Sequence, residues 1–294
     1  MRGTVDDPRY DRDVDRLRRR AFLFAMATSA IACGLEVRGL VGSPDDGGVD
    51  ASTELDATSA PPESEASIDG AADAPFDCGE GGGFCDLCDE TLLLCLPFDD
   101  DAKDKSRYEH ALIVLGQLGF GNGAAGHGRA MEIDAATTIR VAHNQHWEGY
   151  SALTIEMFIR PNAFADAGGR AGLVDKNSTF GFFVQPNGDL TCTAGGAVRG
   201  QPDGGLDGGR FVHVACVGGG GKTTLYARGV LLHEVDASNP TASNEELAIA
   251  GNSPAGDPFN GGIDALRIYK RAKTPEEIRE SAVGRSDAGD AAGD

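Results

Sequence analysis

From Thr91 to Ala282 the chain is a succession of short runs that are apolar throughout or alternate apolar with polar residues. TLLLCLPF, HALIVLG, AMEID, TTIRVA, LTIEMFIRP, AGLVDK, FGFFVQ, DLTCTA, RFVHVACV, TTLYARG, VLLHEV, ELAIAG and IDALRIYK follow one another in order. Between them stand Asn-Gly, Asp-Gly-Gly, Pro-Asn-Gly and a run of four glycines. Short strands punctuated by turn dipeptides predict an all-β sandwich or jelly roll. No long amphipathic helix is present in the pattern. One short helix is expected near the end, where Thr274 is placed to be the N-cap, Pro275 the first helical residue and Glu277 the third, a capping-box arrangement.

The chain before Thr91 reads differently. Arg16 to Arg20 form a basic block, followed by the apolar run Ala21–Ala32. That run is too short to span a bilayer, which takes about 20 residues, and has the length of a signal-peptide core. It ends Ser-Ala-Ile-Ala-Cys, which resembles the bacterial lipobox, so residues 1–32 are expected to be a signal peptide and Cys33 the lipidated first residue of the exported protein. Residues 33–77 are acidic, and from Ser43 onward they hold no Lys or Arg and almost no large apolar side chain. Such a segment buries too little surface to offset its conformational entropy, and is expected to be a disordered tether. Residues 78–90 form a cysteine-rich lead-in, residues 91–283 the jelly roll, and residues 284–294 a second disordered tail.

Cysteine usage agrees with export. Apart from Cys33 there are Cys78, Cys85, Cys88, Cys95, Cys192 and Cys216, an even set that implies disulfides in an oxidising compartment. The first four have the spacing C-x6-C-x2-C-x6-C. Zinc is a weaker reading, because the outer spacings are wide for common zinc modules, and the pairing of these four stays open. The formal net charge of −20 excludes nucleic acid as an electrostatic partner and leaves the lipid anchor as the route to a membrane.

Gly221-Lys222-Thr223 ends like a phosphate-binding loop, but Cys216 stands where that loop requires glycine and the flanks are strand-like, so no nucleotide is expected. Glu132 and Asp134 suggest the paired carboxylates of a glycosidase, but Thr137 stands at the place of the second catalytic acid. His143 and His146 fall in a polar loop. Trp147, the one tryptophan, is a candidate for stacking on a sugar ring. Asp99, Asp101 and Asp104 crowd one loop with Asp100, an oxygen-rich set suited to calcium.

Five pieces in register resemble the laminin-G-like domains of the concanavalin A-like lectin/glucanase superfamily: LLLCLPFDDDAKDKS, GRAMEIDAATTIRVA, SALTIEMFIRP, GRFVHVACVGGGGKTTLYARGVLL and FNGGIDALRIYKRAKTPEEI. The resemblance covers residues 90–282 and implies a two-sheet antiparallel jelly roll. It places Asp264 beside a structural calcium, to which Asp99, Asp101 and Asp104 would contribute. It also makes the strands of Cys192 and Cys216 neighbours, so that a disulfide is expected across adjacent strands. The implied function is a non-enzymatic module that binds a glycan or a surface protein at the bacterial cell envelope, lipid-anchored or otherwise secreted. The alternative is an exported glycosidase or lyase on the same fold.

Overall fold

The structure, a computed structural model, describes residues 84–149, 151–165, 169–206 and 209–283. The expected signal peptide, Cys33, the acidic tether, Cys78 and the C-terminal tail lie outside these residues. The described chain forms strands β1 (Leu92–Leu96), β2 (Leu112–Leu115), β3 (Gly119–Asn122), β4 (Arg129–Ile133), β5 (Thr138–Val141), β6 (Leu153–Pro161), β7 (Ala171–Lys176) and β8 (Phe180–Val184). These are followed by β9 (Leu190–Ala194), β10 (Ala197–Gly200), β11 (Val212–Gly219), β12 (Lys222–Ala227), β13 (Val230–Asp236), β14 (Leu247–Ile249), β15 (Gly261–Tyr269) and the helix α1 (Pro275–Val283).

Two antiparallel sheets pack face to face. The first has the order β13-β12-β11-β6-β15-β4-β3, with β1 also pairing to β15; the second has the order β10-β9-β8-β7-β14-β5-β2. This is the jelly-roll sandwich expected from the alternation. Strand β15 serves two partners because it bends: its first residues pair with β4, and after a bulge between Asp264 and Arg267 its remainder pairs with β1. Strand β6 shows how the pattern sorts the faces. Leu153, Ile155, Met157 and Ile159 enter the core between the sheets, while Thr154, Glu156 and Phe158 point the other way.

The glycine run that imitates a phosphate loop is the β11–β12 hairpin. Gly219 pairs with Lys222, leaving Gly220 and Gly221 as a two-residue turn with φ of 61° and 81°. Two consecutive positive φ values match the twist of the flanking strands and favour glycine at both positions.

The expected capping box forms. The Thr274 amide donates to Glu277 Oε2 at 2.7 Å, and the Glu277 amide donates to Thr274 Oγ1 at 3.3 Å. The helix then lays Ile278 on Ala215, Val217 and Tyr226, covering part of the outer face of the first sheet. The lead-in covers another part. Cys85 is bonded to Cys95 of β1, and Phe84 packs with Phe158 and Ala265. Cys88 is disulfide-bonded as well.

Cys192 and Cys216 are joined, with a Cα–Cα distance of 5.7 Å, but not across hydrogen-bonded neighbours. Cys192 lies on β9 of the second sheet and Cys216 on β11 of the first, both in the core. The bridge therefore ties the two layers together. Facing sheets usually stand about 10 Å apart, so the layers converge at this corner.

Candidate functional site

Several sequence candidates occupy structural positions. Trp147 is a correction: it is fully buried in the core against His110, with ring centroids 5.2 Å apart, and has no exposed face for a sugar. The four aspartates considered for calcium are not gathered into one site. Asp104 accepts hydrogen bonds from the backbone amides of Cys95, Ser106 and His110 and from the Ser106 hydroxyl, so its oxygens pin the loop to β1. Asp101 pairs with Lys103 and Lys105. Asp99 accepts from the Arg129 amide, and Asp264 from the Ala124 amide. Among the described residues no cluster of three His, Cys, Asp or Glu side chains is disposed to hold a metal ion. Asp264 is fully buried, and burial first of all pushes its carboxyl up to about 7.

The outer face of the first sheet carries a buried charge cluster. Glu156 on β6 accepts from Arg267 at 2.7 Å and from Lys273 at 2.9 Å, and His213 of β11 stands 3.8 Å away. Burial alone would raise the Glu156 carboxyl. Arg267, the adjacent His213 and Lys273 outweigh it and hold the group well below the carboxylate range. A recess of about 660 Å³ adjoins this cluster. Its cations are already engaged, Arg267 and Lys273 by Glu156 and Arg271 by Glu277. The Arg267 guanidinium also lies 4.4 Å over the Phe84 ring. This face is closed around its own ion pairs.

The outer face of the second sheet is different. Asp175 of β7 pairs with Gly181 of β8, and Gly181 pairs with Thr193 of β9, so the three lie side by side across adjacent strands. Gly181 leaves room for the Phe183 ring to lie against this floor. A Cβ there would stand 2.4 Å from Phe183 Cε2 and 3.0 Å from Asp175 Oδ1. The walls come from the turn at 177–179 and from the loops at 195–196, 238–241 and 252–254, enclosing about 630 Å³. Apart from Phe180, Phe183 and Pro254, the lining is almost wholly hydroxyl, amide and backbone.

Hydrogen bonding sets the floor. Asp175 is 6% exposed, and its Oδ2 accepts from the Ser253 amide at 2.9 Å. Its Oδ1, the Thr193 hydroxyl and the Asn252 side-chain amide have no hydrogen-bond partner among the described residues. Burial raises the Asp175 carboxyl above its ordinary range, against the Ser253 amide and the charges of Arg170 and Arg140; Asp257 adds to the rise. The neighbouring cations are committed. Arg170 binds Asp257 at 2.6 Å and covers the Phe183 ring at 3.6 Å, and Arg140 binds Glu246 at 3.2 Å and the Pro254 carbonyl at 2.7 Å. The trough thus offers one unmatched carboxylate oxygen, a hydroxyl and an amide around a shallow space floored by Gly181 and the Phe183 ring. None of its residues was singled out from sequence, where Asp175 and Gly181 read as parts of strands.

The chain is thus a two-sheet jelly roll with a recess lined by engaged cations on one outer face and a trough over unengaged polar groups on the other. The family model for the concanavalin A-like lectin/glucanases superfamily matches residues 134–279, and the domain belongs to that superfamily. No curated protein sequence matches the chain. Among solved structures, the chain is similar to domain 4 of an extracellular arabinanase from Geobacillus stearothermophilus, in complex with arabinotriose. That match has 19% identity and a TM-score of 0.53, and covers 65% of this chain and 98% of that one. The binding domain of Paraclostridial Mosquitocidal Protein 1 matches at 16% identity and TM-score 0.54, covering 66% of this chain and 52% of that one. The binding domain of Botulinum neurotoxin DC, in complex with rat synaptotagmin II, matches at 14% identity and TM-score 0.52, covering 66% of this chain and 51% of that one. The chain therefore spans about half the length of the two toxin domains. At these identities the likeness is one of fold.

Proposed function

We propose that this protein is a non-catalytic binding module, exported and held at the bacterial cell envelope by a lipid on Cys33, whose jelly roll captures a glycan through the trough on its second sheet. The observation that carries the reading is the set of unengaged Asp175 Oδ1, Thr193 and Asn252 around Gly181. Sugar recognition needs such polar groups, placed and not yet satisfied. The fold neighbours support the direction, since two are binding domains and a third was solved with arabinotriose.

The same geometry disfavours glycoside cleavage, which takes two free carboxyl groups flanking the bond. Glu132 is paired with Arg160, and Asp134 caps the turn by accepting from the Ala136 amide. In the trough Asp175 is the one carboxyl, and Asp257 is bound by Arg170. A glycan array probed with the full chain, followed by chromatography of the bound saccharides, tests the proposal. Selective capture with the saccharides recovered intact is expected. Release of shorter products would establish the exported polysaccharide-cleaving enzyme instead.

A further inference from the structure

We infer that the trough selects neutral saccharides over acidic ones, with Asp175 Oδ1 as the acceptor for a sugar hydroxyl and therefore the residue that sets specificity. The inference rests on the reading of the trough as a glycan site and adds the class of glycan.

The lining of the recess holds two charged side chains, Arg170 and Asp175. Arg170 is ion-paired through Nε with Asp257 and its guanidinium carbon lies 3.6 Å over the Phe183 ring, so its charge already has a carboxylate partner. The next cation behind the floor, Arg140, is held by Glu246 and the Pro254 carbonyl. Asp175 meets the Ser253 amide through one oxygen and leaves the other to the recess. A uronate or sulfate entering here meets a carboxylate and no free counter-charge, on a chain whose formal net charge is −20. Burying an anion without a partner is strongly unfavourable. A neutral sugar brings hydroxyl donors that suit an unmatched carboxylate oxygen, and a hydrogen bond to a charged acceptor is among the stronger kinds.

The floor fits the same ligand class. Cross-strand pairing sets Asp175 and Thr193 on either side of Gly181, so an acceptor and a hydroxyl flank a strip of backbone over which the Phe183 ring lies. Strands stand about 4.8 Å apart, so the two groups lie roughly 10 Å apart, a span that suits hydroxyls on opposite sides of a sugar ring. Filling the strip with a methyl group would push on Phe183 and Asp175 together.

The test is calorimetric titration of the full chain, wild type and variants, with matched neutral and acidic oligosaccharides: arabino-, galacto- and gluco-oligosaccharides against oligogalacturonates and sulfated glycans. Binding to members of the neutral set is expected. It should weaken at least about tenfold in Asp175→Asn, the loss of one hydrogen bond to a charged acceptor, and severalfold in Thr193→Ala, which leaves Asp175 and its Ser253 contact intact. In wild type, affinity should also fall on acidification, as protonation removes the charged acceptor, and Asp175→Asn should remove that dependence. Binding confined to the acidic set overturns the inference while leaving a glycan module standing. Neutral binding that neither variant changes, both being folded, also overturns it by placing the sugar elsewhere. Failure of folded wild type to bind any member of either set removes the glycan reading itself.

Discussion

Removing the bridge between Cys192 and Cys216 should loosen one corner of the sandwich by a calculable amount. The two cysteines are separated by 24 residues in sequence and sit on strands of opposite sheets. Cross-linking a loop of that length removes denatured-state entropy equivalent to about 3.5 kcal/mol at 25 °C. Both sulfurs are fully buried, so a Cys192→Ala/Cys216→Ala double variant also loses some packing. For a domain of this size each kcal/mol lowers Tm by roughly 2–4 °C, so a fall of about 7–14 °C is expected in calorimetry. Location matters as much as size. Because the bridge links layers that share no backbone hydrogen bonds, hydrogen exchange should accelerate first in β9, β10 and β13, and least in the central pair β6 and β15. A Tm loss below about 3 °C, or alkylation of Cys192 or Cys216 in the unreduced native protein, would refute the reasoning.

Glu156→Gln should be among the most destabilising single changes, at roughly 3–5 kcal/mol, because it leaves Arg267 and Lys273 buried without their counter-charge. The folded-state pKa of Glu156 is depressed, so its contribution is present above the ordinary glutamate range and lost as pH falls below it. Denaturant titrations between pH 3 and 8 should therefore show a shallower acid-side loss in the variant than in wild type; equal slopes would contradict this role. Trp147 should emit as a buried indole and resist acrylamide quenching, and saturating glycan should leave its emission unchanged, since it lies in the core. Ligand-dependent quenching would count against the trough. Cys33→Ala should shift the protein from the membrane fraction to the soluble exported fraction in a bacterial host, and retention at the membrane would rule out lipid anchoring at that residue.

Signals that act over a few residues are legible in the sequence. The capping box at Thr274 and Glu277 and the glycine hairpin at Gly220 and Gly221 form as their residue types demand. Alternation located thirteen of the fifteen described strands. The two it passed over, β3 and β10, read GFGN and AVRG, four-residue edge strands at the ends of their sheets with little apolar alternation. Alternation also does not say which sheet a strand joins. The bridge expected between Cys192 and Cys216 forms, but across the core between the two sheets and not between neighbouring strands. Acidic density around Asp101 suggested a metal loop. Its backbone amides and lysines take up most of those oxygens, an outcome that depends on how the loop folds back on β1. The trough was hidden for the same reason. Asp175, Gly181 and Thr193 are up to 18 positions apart and become neighbours only through the registers of β7, β8 and β9.

The two outer faces explain why this sandwich has a binding side at all. A sheet exposed on both faces would leave polar and apolar groups alike to solvent, and the first sheet avoids this by burying its outer face under the helix, the disulfide-held lead-in and the loop that carries Ala124. The cost of that closure is a set of charges out of water, and Glu156 offsets it only because Arg267 and Lys273 converge on one carboxylate. Every polar group spent there is unavailable to a ligand. Among the described residues no α-helix covers the second sheet, and its central outward positions include Asp175, Gly181 and Thr193 beside the Phe183 ring. A strand interior loses stability to glycine and to a desolvated carboxylate. Natural sequences accept such local costs chiefly where function requires them. The face that is locally least favourable for folding is therefore the one that points to recognition.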